Sequence, residues 1–218
     1  MNKLTRVLLV IALVGVIFGA IGTSDTILFF KGTTVDLTDP ISSFDKKALA
    51  QGDIDFVYGP FATLETSQKH YGITTSKTET DFFIVSNLDA GEAFVVFSTS
   101  KDSLREELSK ASDQWVDWFN SEDEDTPPPE IKISFRGKLA KQRTEDDYIK
   151  YLNEAKDDLS NIGIQSSEFA EMEIVYGEIS VGSVVFCFAG YGIALISLII
   201  ILITFIKAKK EAKAAELY

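Results

Sequence analysis

The chain has 218 residues, with 33 Asp and Glu against 21 Lys and Arg and a formal net charge of −12. So acidic a balance excludes the basic face that nucleic-acid binding needs and disfavours docking on anionic lipid headgroups. One cysteine and one histidine exclude an intrachain disulfide framework and leave no ligand set for zinc.

The N-terminus reads MNKLTRVLLVIALVGVIFGAIGTSD, with an uncharged run from Val7 to Gly22 behind Lys3 and Arg6. This predicts a transmembrane helix over 1–23. A signal anchor, or a signal peptide cleaved near Ala20-Ile21-Gly22, is the alternative. Apolar residues resume at Ile27–Phe30, which favours the uncleaved span.

Residues 24–180 are expected to form one α+β domain. GDIDFVYGPFATLE (52–65) predicts two short strands broken at Gly59-Pro60, with Ile54, Phe56 and Tyr58 on one face. DFFIVSNLDAGEAFVVFSTS (81–100) predicts a hairpin whose strands, 82–86 and 93–98, are apolar on both faces and therefore central. Its turn spans 87–92, with Gly91 available for positive φ. A helix is expected from Ser103 to Asn120, opened by a Ser103/Glu106 capping box, with an apolar stripe of Leu104, Leu108, Ala111, Trp115, Trp118 and Phe119.

SEDEDTPPPE (121–130) is an acidic, proline-locked connector, and Ile131–Leu139 alternates as a half-buried strand. A second helix starts at Thr144, with Asp147 completing another box and Tyr148, Tyr151, Leu152, Ala155 and Leu159 on one face. Glu171–Ile179 is the last strand. The order implies a mostly antiparallel sheet with two helices laid on one face. An OB-like partly open barrel is the alternative.

The stretch from Val184 to Ile206 is uncharged and strongly apolar. At 1.5 Å per residue it makes a helix of about 35 Å, enough for a hydrocarbon core of about 30 Å. A second transmembrane helix is expected over 181–206 and a basic tail over 207–218. Lys207, Lys209, Lys210 and Lys213 after this run, and Lys3 and Arg6 before the first, place both termini in the cytoplasm. Residues 24–183 then lie outside, with 31 acidic and 15 basic residues, and the two ends together carry 2 acidic and 6 basic. With no cysteine and no Asn-x-Ser/Thr sequon in the outer segment, the expected setting is the bacterial cell envelope.

Chemistry-bearing candidates are few. His70 stands in a polar QKHYG stretch without a nucleophile motif, and is read as structural or solvent-exposed. Glu122–Asp125 lack the spacing and turn glycine of an EF-hand loop, and are read as a solvated loop. Asp53 and Asp55 share a strand face and form the one candidate carboxylate pair for acid/base work, although a solvent face is the plainer reading. Nucleotide, esterase and zinc-protease motifs are absent. No catalytic residue, metal site or cofactor is therefore assigned.

Tyr58, Phe61, Trp115 and Trp118 are the candidate ligand or partner contacts, with Tyr58 and Phe61 flanking the Gly59-Pro60 bend to line a groove. Gly15 and Gly19 in the first run, extended by Thr23, and Gly190 and Ala194 in the second have the spacing that lets helix backbones approach. They are assigned to packing of the spans on each other, on a membrane-protein partner, or in a homo-oligomer. Tyr191 stands mid-run, where an interhelical hydrogen bond would account for it.

Gly52-Asp53, Gly59-Pro60-Phe61, Gly72-Ile73-Thr74, the Trp115/Trp118 helix followed by Pro127-Pro128-Pro129, and Phe135-Arg136-Gly137-Lys138-Leu139 together resemble a family of uncharacterised bacterial two-span membrane proteins, a domain of unknown function. The resemblance covers most of the middle segment and implies an architecture without an attached activity. The expected function is a membrane-anchored extracytoplasmic binding or interaction module, such as an accessory subunit of an envelope complex. A sensor coupled to a cytoplasmic partner and a carboxylate-dependent hydrolase are the alternatives.

Overall fold

The structure is a computed structural model that describes residues 3–44, 48–70, 73–88, 93–121, 126–177, 179 and 181–215. It does not describe the side chains of 68–75, 166 and 211–215. The chain divides into two units, Met1–Lys31 with Ile179–Tyr218, and Gly32–Glu178.

The first unit is a pair of helices, α1 (Lys3–Lys31) and α4 (Val181–Ala215). Both are long and apolar enough to cross a membrane by length and composition. Helix α1 does not stop at Gly22 but continues through Asp25 to Lys31. Its buried positions, Ala12, Gly15, Gly19 and Gly22, recur at spacings of three and four, and so do Val184, Cys187, Gly190, Ala194 and Ser197 on α4. That recurrence puts one stripe of each helix against the other.

The second unit holds β1 (Thr34–Asp36), β2 (Leu49–Ile54), β3 (Phe56–His70), β4 (Ile73–Ser86), β5 (Phe94–Thr99), α2 (Asp102–Phe119), β6 (Ile133–Lys141), α3 (Asp146–Asn161) and β7 (Phe169–Tyr176). Among the described residues the strands form one open seven-stranded mixed sheet in the order β1-β2-β6-β7-β5-β4-β3. The pairings β1·β2 and β5·β7 are parallel and the other four antiparallel. The fold is thus α+β, with two helices in each unit.

The expected break at Gly59-Pro60 is not where the chain turns. Asp55 alone separates β2 from β3, although these strands hold the second and last places in the sheet. The Asp55 N–H donates to the Ser86 carbonyl (3.2 Å), and Asn87 Nδ2 donates to the Asp53 carbonyl (2.8 Å). The sheet therefore curls until the ends of β2 and β4 are tied together. At Gly59-Pro60, β3 instead runs on through a register shift between Tyr58 and Ala62. The proline-bearing irregularity is accommodated because β3 is an edge strand.

The two helices of this unit do not lie on one face. Phe83, Val85, Val95 and Phe97 share a core with Leu104, Leu108 and Ala111 of α2. The alternating residues Phe82, Ile84, Phe94 and Val96 face α3 through Tyr148, Leu152, Ala155 and Leu159. Strands apolar on both faces require cover on both faces. Each such side chain contributes about 1.5–3 kcal/mol when fully buried. Helix α2 reaches the second core at its C-terminal end, where Trp115 meets Phe56 with ring centroids 5.1 Å apart.

The expected capping boxes are not formed. Lys101 and Glu145 precede the two helices without a side-chain cap, and at α2 the Lys101 carbonyl accepts from Leu104 and Arg105. Tyr151 and Phe119, assigned to the buried stripes, are exposed instead. The helix start is held by an ion cluster: Arg105 donates to Asp81 (2.7 Å) and Glu79 (3.0 Å), and Thr63 donates to Asp81 (2.7 Å).

Candidate functional site

The helical period places Ser112, Val116 and Phe119 along one side of α2, and Tyr151, Ala155, Asp158 and Ile162 along one side of α3 and its C-terminal cap. These stripes form the walls of a groove over the start of β3. Three adjoining cavities make it up. The first, about 350 Å³, is lined by Tyr58, Gly59, Pro60 and Phe61 with Ser112, Val116 and Tyr151. The second, about 250 Å³, shares Tyr58, Val116 and Asp158 with the first, and Phe56, Trp115, Phe119 and Ile162 with the third. The third, about 800 Å³, is closed by Trp118, Pro127–Pro129 and Ile131.

The aromatic rings are fixed by their polar atoms. Trp115 Nε1 donates to the Asp55 carbonyl (2.8 Å) and Trp118 Nε1 to the Thr126 carbonyl (2.9 Å). With both indole N–H groups satisfied by backbone, these rings offer the groove their apolar faces and edges. Trp118 and Phe119 meet edge to face at 5.0 Å, and Trp115 and Phe119 are 5.8 Å apart. The Tyr58 hydroxyl donates to Asp158 Oδ2 (2.6 Å), tying β3 to α3 across the groove. Burial and that carboxylate push the Tyr58 phenol up to about 12. The Gly59 N–H donates to Ser112 Oγ (3.1 Å), tying β3 to α2.

All four contact candidates therefore line one continuous groove. Tyr58 and Phe61 lie at the small end, Trp118 lies at the large end, and Trp115 forms part of both the joining and the large cavity. The sequence reading missed Val116 and Ile162 and placed Phe119 and Tyr151 in the core. These four are 46, 46, 43 and 45% exposed. The available signal was an apolar residue one position off the buried stripe, where an amphipathic helix carries polar residues.

The rim is acidic. Asp113, Glu154 and Asp158 border the small end, and Asp55 and Glu130 the large end. Among the described lining residues Lys132 is the one cation, and it is held by Asp53 at 3.1 Å.

Asp53 and Asp55 take different partners. Asp53 faces Lys132 and Ser134 of the neighbouring chain segment, and the Ser134 hydrogen bond is the largest of the effects that lower its pKa. Asp55 sits in the bend and accepts from the Leu88 N–H (2.7 Å). Residues 122–125 and the His70 side chain lie outside what the structure describes, as do Gly91 and part of its turn.

Among the described residues two carboxylates of the domain are buried, Asp81 beside the start of α2 and Glu173. Glu173 on β7 is 2% exposed and accepts from Ser98 Oγ (2.6 Å), with Arg143 Nε at 3.9 Å. Burial pushes its carboxyl above the ordinary value, while Ser98 and Arg143 pull the other way. The Tyr148 hydroxyl and Arg143 Nε are buried without a hydrogen-bond partner.

In the helical unit, Gly15, Gly19, Gly190 and Ala194 come together. A Cβ on Gly15 would meet the Gly190 carbonyl at 2.7 Å, and one on Gly19 would strike the Tyr191 ring at 2.8 Å. Gly22, which the spacing argument passed over, lies against Ser183 and Cys187 in the same way. Thr23 donates to the Gly19 carbonyl (2.9 Å), which uses its single hydroxyl proton, so the contact at 3.0 Å has Tyr191 as donor and Thr23 as acceptor.

An acidic α+β domain with an aromatic groove, joined in sequence to two apolar helices packed through glycine, defines the class. The chain belongs to the family described as Domain of unknown function (DUF8577), which matches residues 1–207. No curated protein matches the chain.

Proposed function

We propose that the protein is a membrane-anchored binding module whose α+β domain engages a partner outside the cytoplasm through the α2/α3 groove. The observation that carries this reading is the groove itself: Val116, Phe119, Tyr151 and Ile162, all large and all nearly half exposed, converge on one concavity above Trp115. Contiguous exposed apolar surface rimmed by charge is characteristic of interaction sites.

In this reading α1 and α4 are the anchor. The flanking Lys3, Arg6, Lys207, Lys209 and Lys210 support a cytoplasmic location for both termini, and the cysteine-poor, acidic domain supports a bacterial envelope. The glycine faces of the two helices are consumed by each other, which favours recruitment by the domain over recruitment by the spans. We further read the curled sheet as OB-like in connectivity. The bent β2–β3 segment, β4, β5, β7 and β6 follow one another round the curl, with α2 between β5 and β6.

A photo-crosslinking amino acid placed at Phe119 or Val116 of the full chain, in its native membrane, tests the reading. A discrete adduct from these positions and none from Lys110 is expected. Equal, diffuse crosslinking at all three sinks it.

A further inference from the structure

The groove also restricts what its partner can be. This inference rests on the reading of the domain as a binding module. The wall on α3 runs from Tyr151 to Ile162, about 16 Å at 1.5 Å per residue, which is three turns of helix. The walls are side chains of two helices, and at the β3 side the Gly59 N–H is already taken by Ser112. An occupant must therefore satisfy its own backbone, as a helix does and an added strand does not. Its contacting face must be apolar to cover Val116 and Phe119. Its flanks must be cationic, because the rim is Asp113, Glu154 and Asp158 at one end and Asp55 and Glu130 at the other. A second copy of this chain, with its net charge of −12, meets that rim with like charge.

We propose that the α2/α3 groove receives a basic amphipathic helix of a partner protein. Its apolar side chains sit on Val116, Phe119, Tyr151 and Ile162, and its lysines or arginines meet Asp113, Glu154 and Asp158.

The chain has two tryptophans, and both line the groove, so its intrinsic emission reports this site. The probe is a tryptophan-free, 16-residue leucine–lysine amphipathic helix. It is titrated into full-length protein in a neutral detergent, with a leucine–glutamate helix of equal length as comparator. A saturable shift of emission is expected for the lysine helix, with Kd rising about tenfold or more between 0.05 and 0.5 M salt as the rim is screened. Val116→Asp and Phe119→Asp alter exposed positions and are expected to remove the shift. Asp158→Asn weakens binding about threefold or more, and Asp117→Asn, off the groove, leaves it unchanged.

Equal binding of the glutamate helix, salt-insensitive binding, or a Kd unmoved by Val116→Asp and Phe119→Asp overturns the proposal. An emission shift that grows with protein concentration alone assigns the groove to a second copy and overturns it too. These outcomes are separable from the wider reading. A discrete adduct at Phe119 with an acidic or non-helical partner keeps the binding module and removes the basic helix.

Discussion

The Tyr191 hydroxyl donates to Thr23 Oγ1 at 3.0 Å, joining α4 to α1 through two polar side chains. Thr23 in turn donates to the Gly19 carbonyl, so the pair closes a short chain of hydrogen bonds beside the glycine contact. Interhelical hydrogen bonds between apolar spans contribute about 0.6 kcal/mol on average and at most about 1.7 kcal/mol. Tyr191→Phe and Thr23→Val should each destabilise the helix pair by that order, and the double variant by no more than the larger single effect. Steric-trapping or detergent-denaturation measurements on the full chain check this. Additive losses would show that the two hydroxyls do not act together.

Close backbone approach dominates over that hydrogen bond. A Cβ on Gly190 would fall on Gly19 N and the Gly15 carbonyl, which are backbone atoms unable to yield. Gly190→Leu should separate α1 from α4, with a larger loss than Tyr191→Phe, while Gly192→Leu, with open space around its Cα, should be neutral. A cysteine pair at Ala12 and Ser197, crosslinked in the native membrane and compared between these variants, reports the separation. Unchanged crosslinking in Gly190→Leu would sink the prediction.

Glu173 sets a pH dependence. Its folded pKa is raised, chiefly by burial, above the ordinary value of 4.5, with Ser98 and Arg143 opposing and Glu145 adding. The folded state therefore binds the proton more tightly than the unfolded state. The contribution is fully stabilising below the ordinary value and is lost as pH rises through the raised one. Glu173→Gln keeps a partner for Ser98 and removes the charge. Its Tm should exceed that of the parent at pH 7.5, by about 2–4 °C per kcal/mol recovered, with the gap closing below pH 4.5. Parallel Tm–pH curves for the two proteins would refute it.

Arg105 holds the start of α2 to the sheet through Asp81, which is 6% exposed. Arg105→Ala leaves that buried carboxylate with Thr63 alone, at a cost of about 2–4 kcal/mol. Asp81→Asn in the same chain should restore much of the loss, because the uncompensated charge is then gone. Denaturant unfolding of the two variants decides the matter.

Topology is open to a labelling experiment, because the single native cysteine, Cys187 within α4, can be replaced to leave a background free of thiols. In a Cys187→Ala background, Glu107→Cys should react with a membrane-impermeant maleimide on intact cells and Lys209→Cys only after permeabilisation. The reverse pattern would invert the proposed orientation.

How far the sequence could be read follows from how local each cause is. The two apolar helices and the strands 82–86 and 93–98 were legible because their length and two-faced apolar character depend on nearby residues alone. The Gly15/Gly19 and Gly190/Ala194 spacing of four pointed to close packing, but Gly22 was passed over because it stands three residues after Gly19, outside that spacing. The break at Asp55 was misplaced to Gly59-Pro60 because proline signals irregularity, while an edge strand can absorb it. The capping boxes failed for two reasons: Ser103 lies inside α2, whose cap position is Lys101, and the Thr144 N–H is taken by Glu145, one residue on. The groove was half legible. Its aromatic residues stood out by type, but the facing of α2 and α3 over β3 is set by tertiary packing.

Asp55 also divides the chain by time. On its far side β3 pairs at once with β4, the next strand to be synthesised, whereas on its near side β2 has no antiparallel neighbour until β6 exists, with Ala50 opposite Gly137. Long-range pairings of this kind form late and leave an edge exposed meanwhile. During synthesis the segment from β3 through α2 can therefore organise while β1 and β2 wait, and the curl of the sheet becomes complete only when the last third of the domain has emerged.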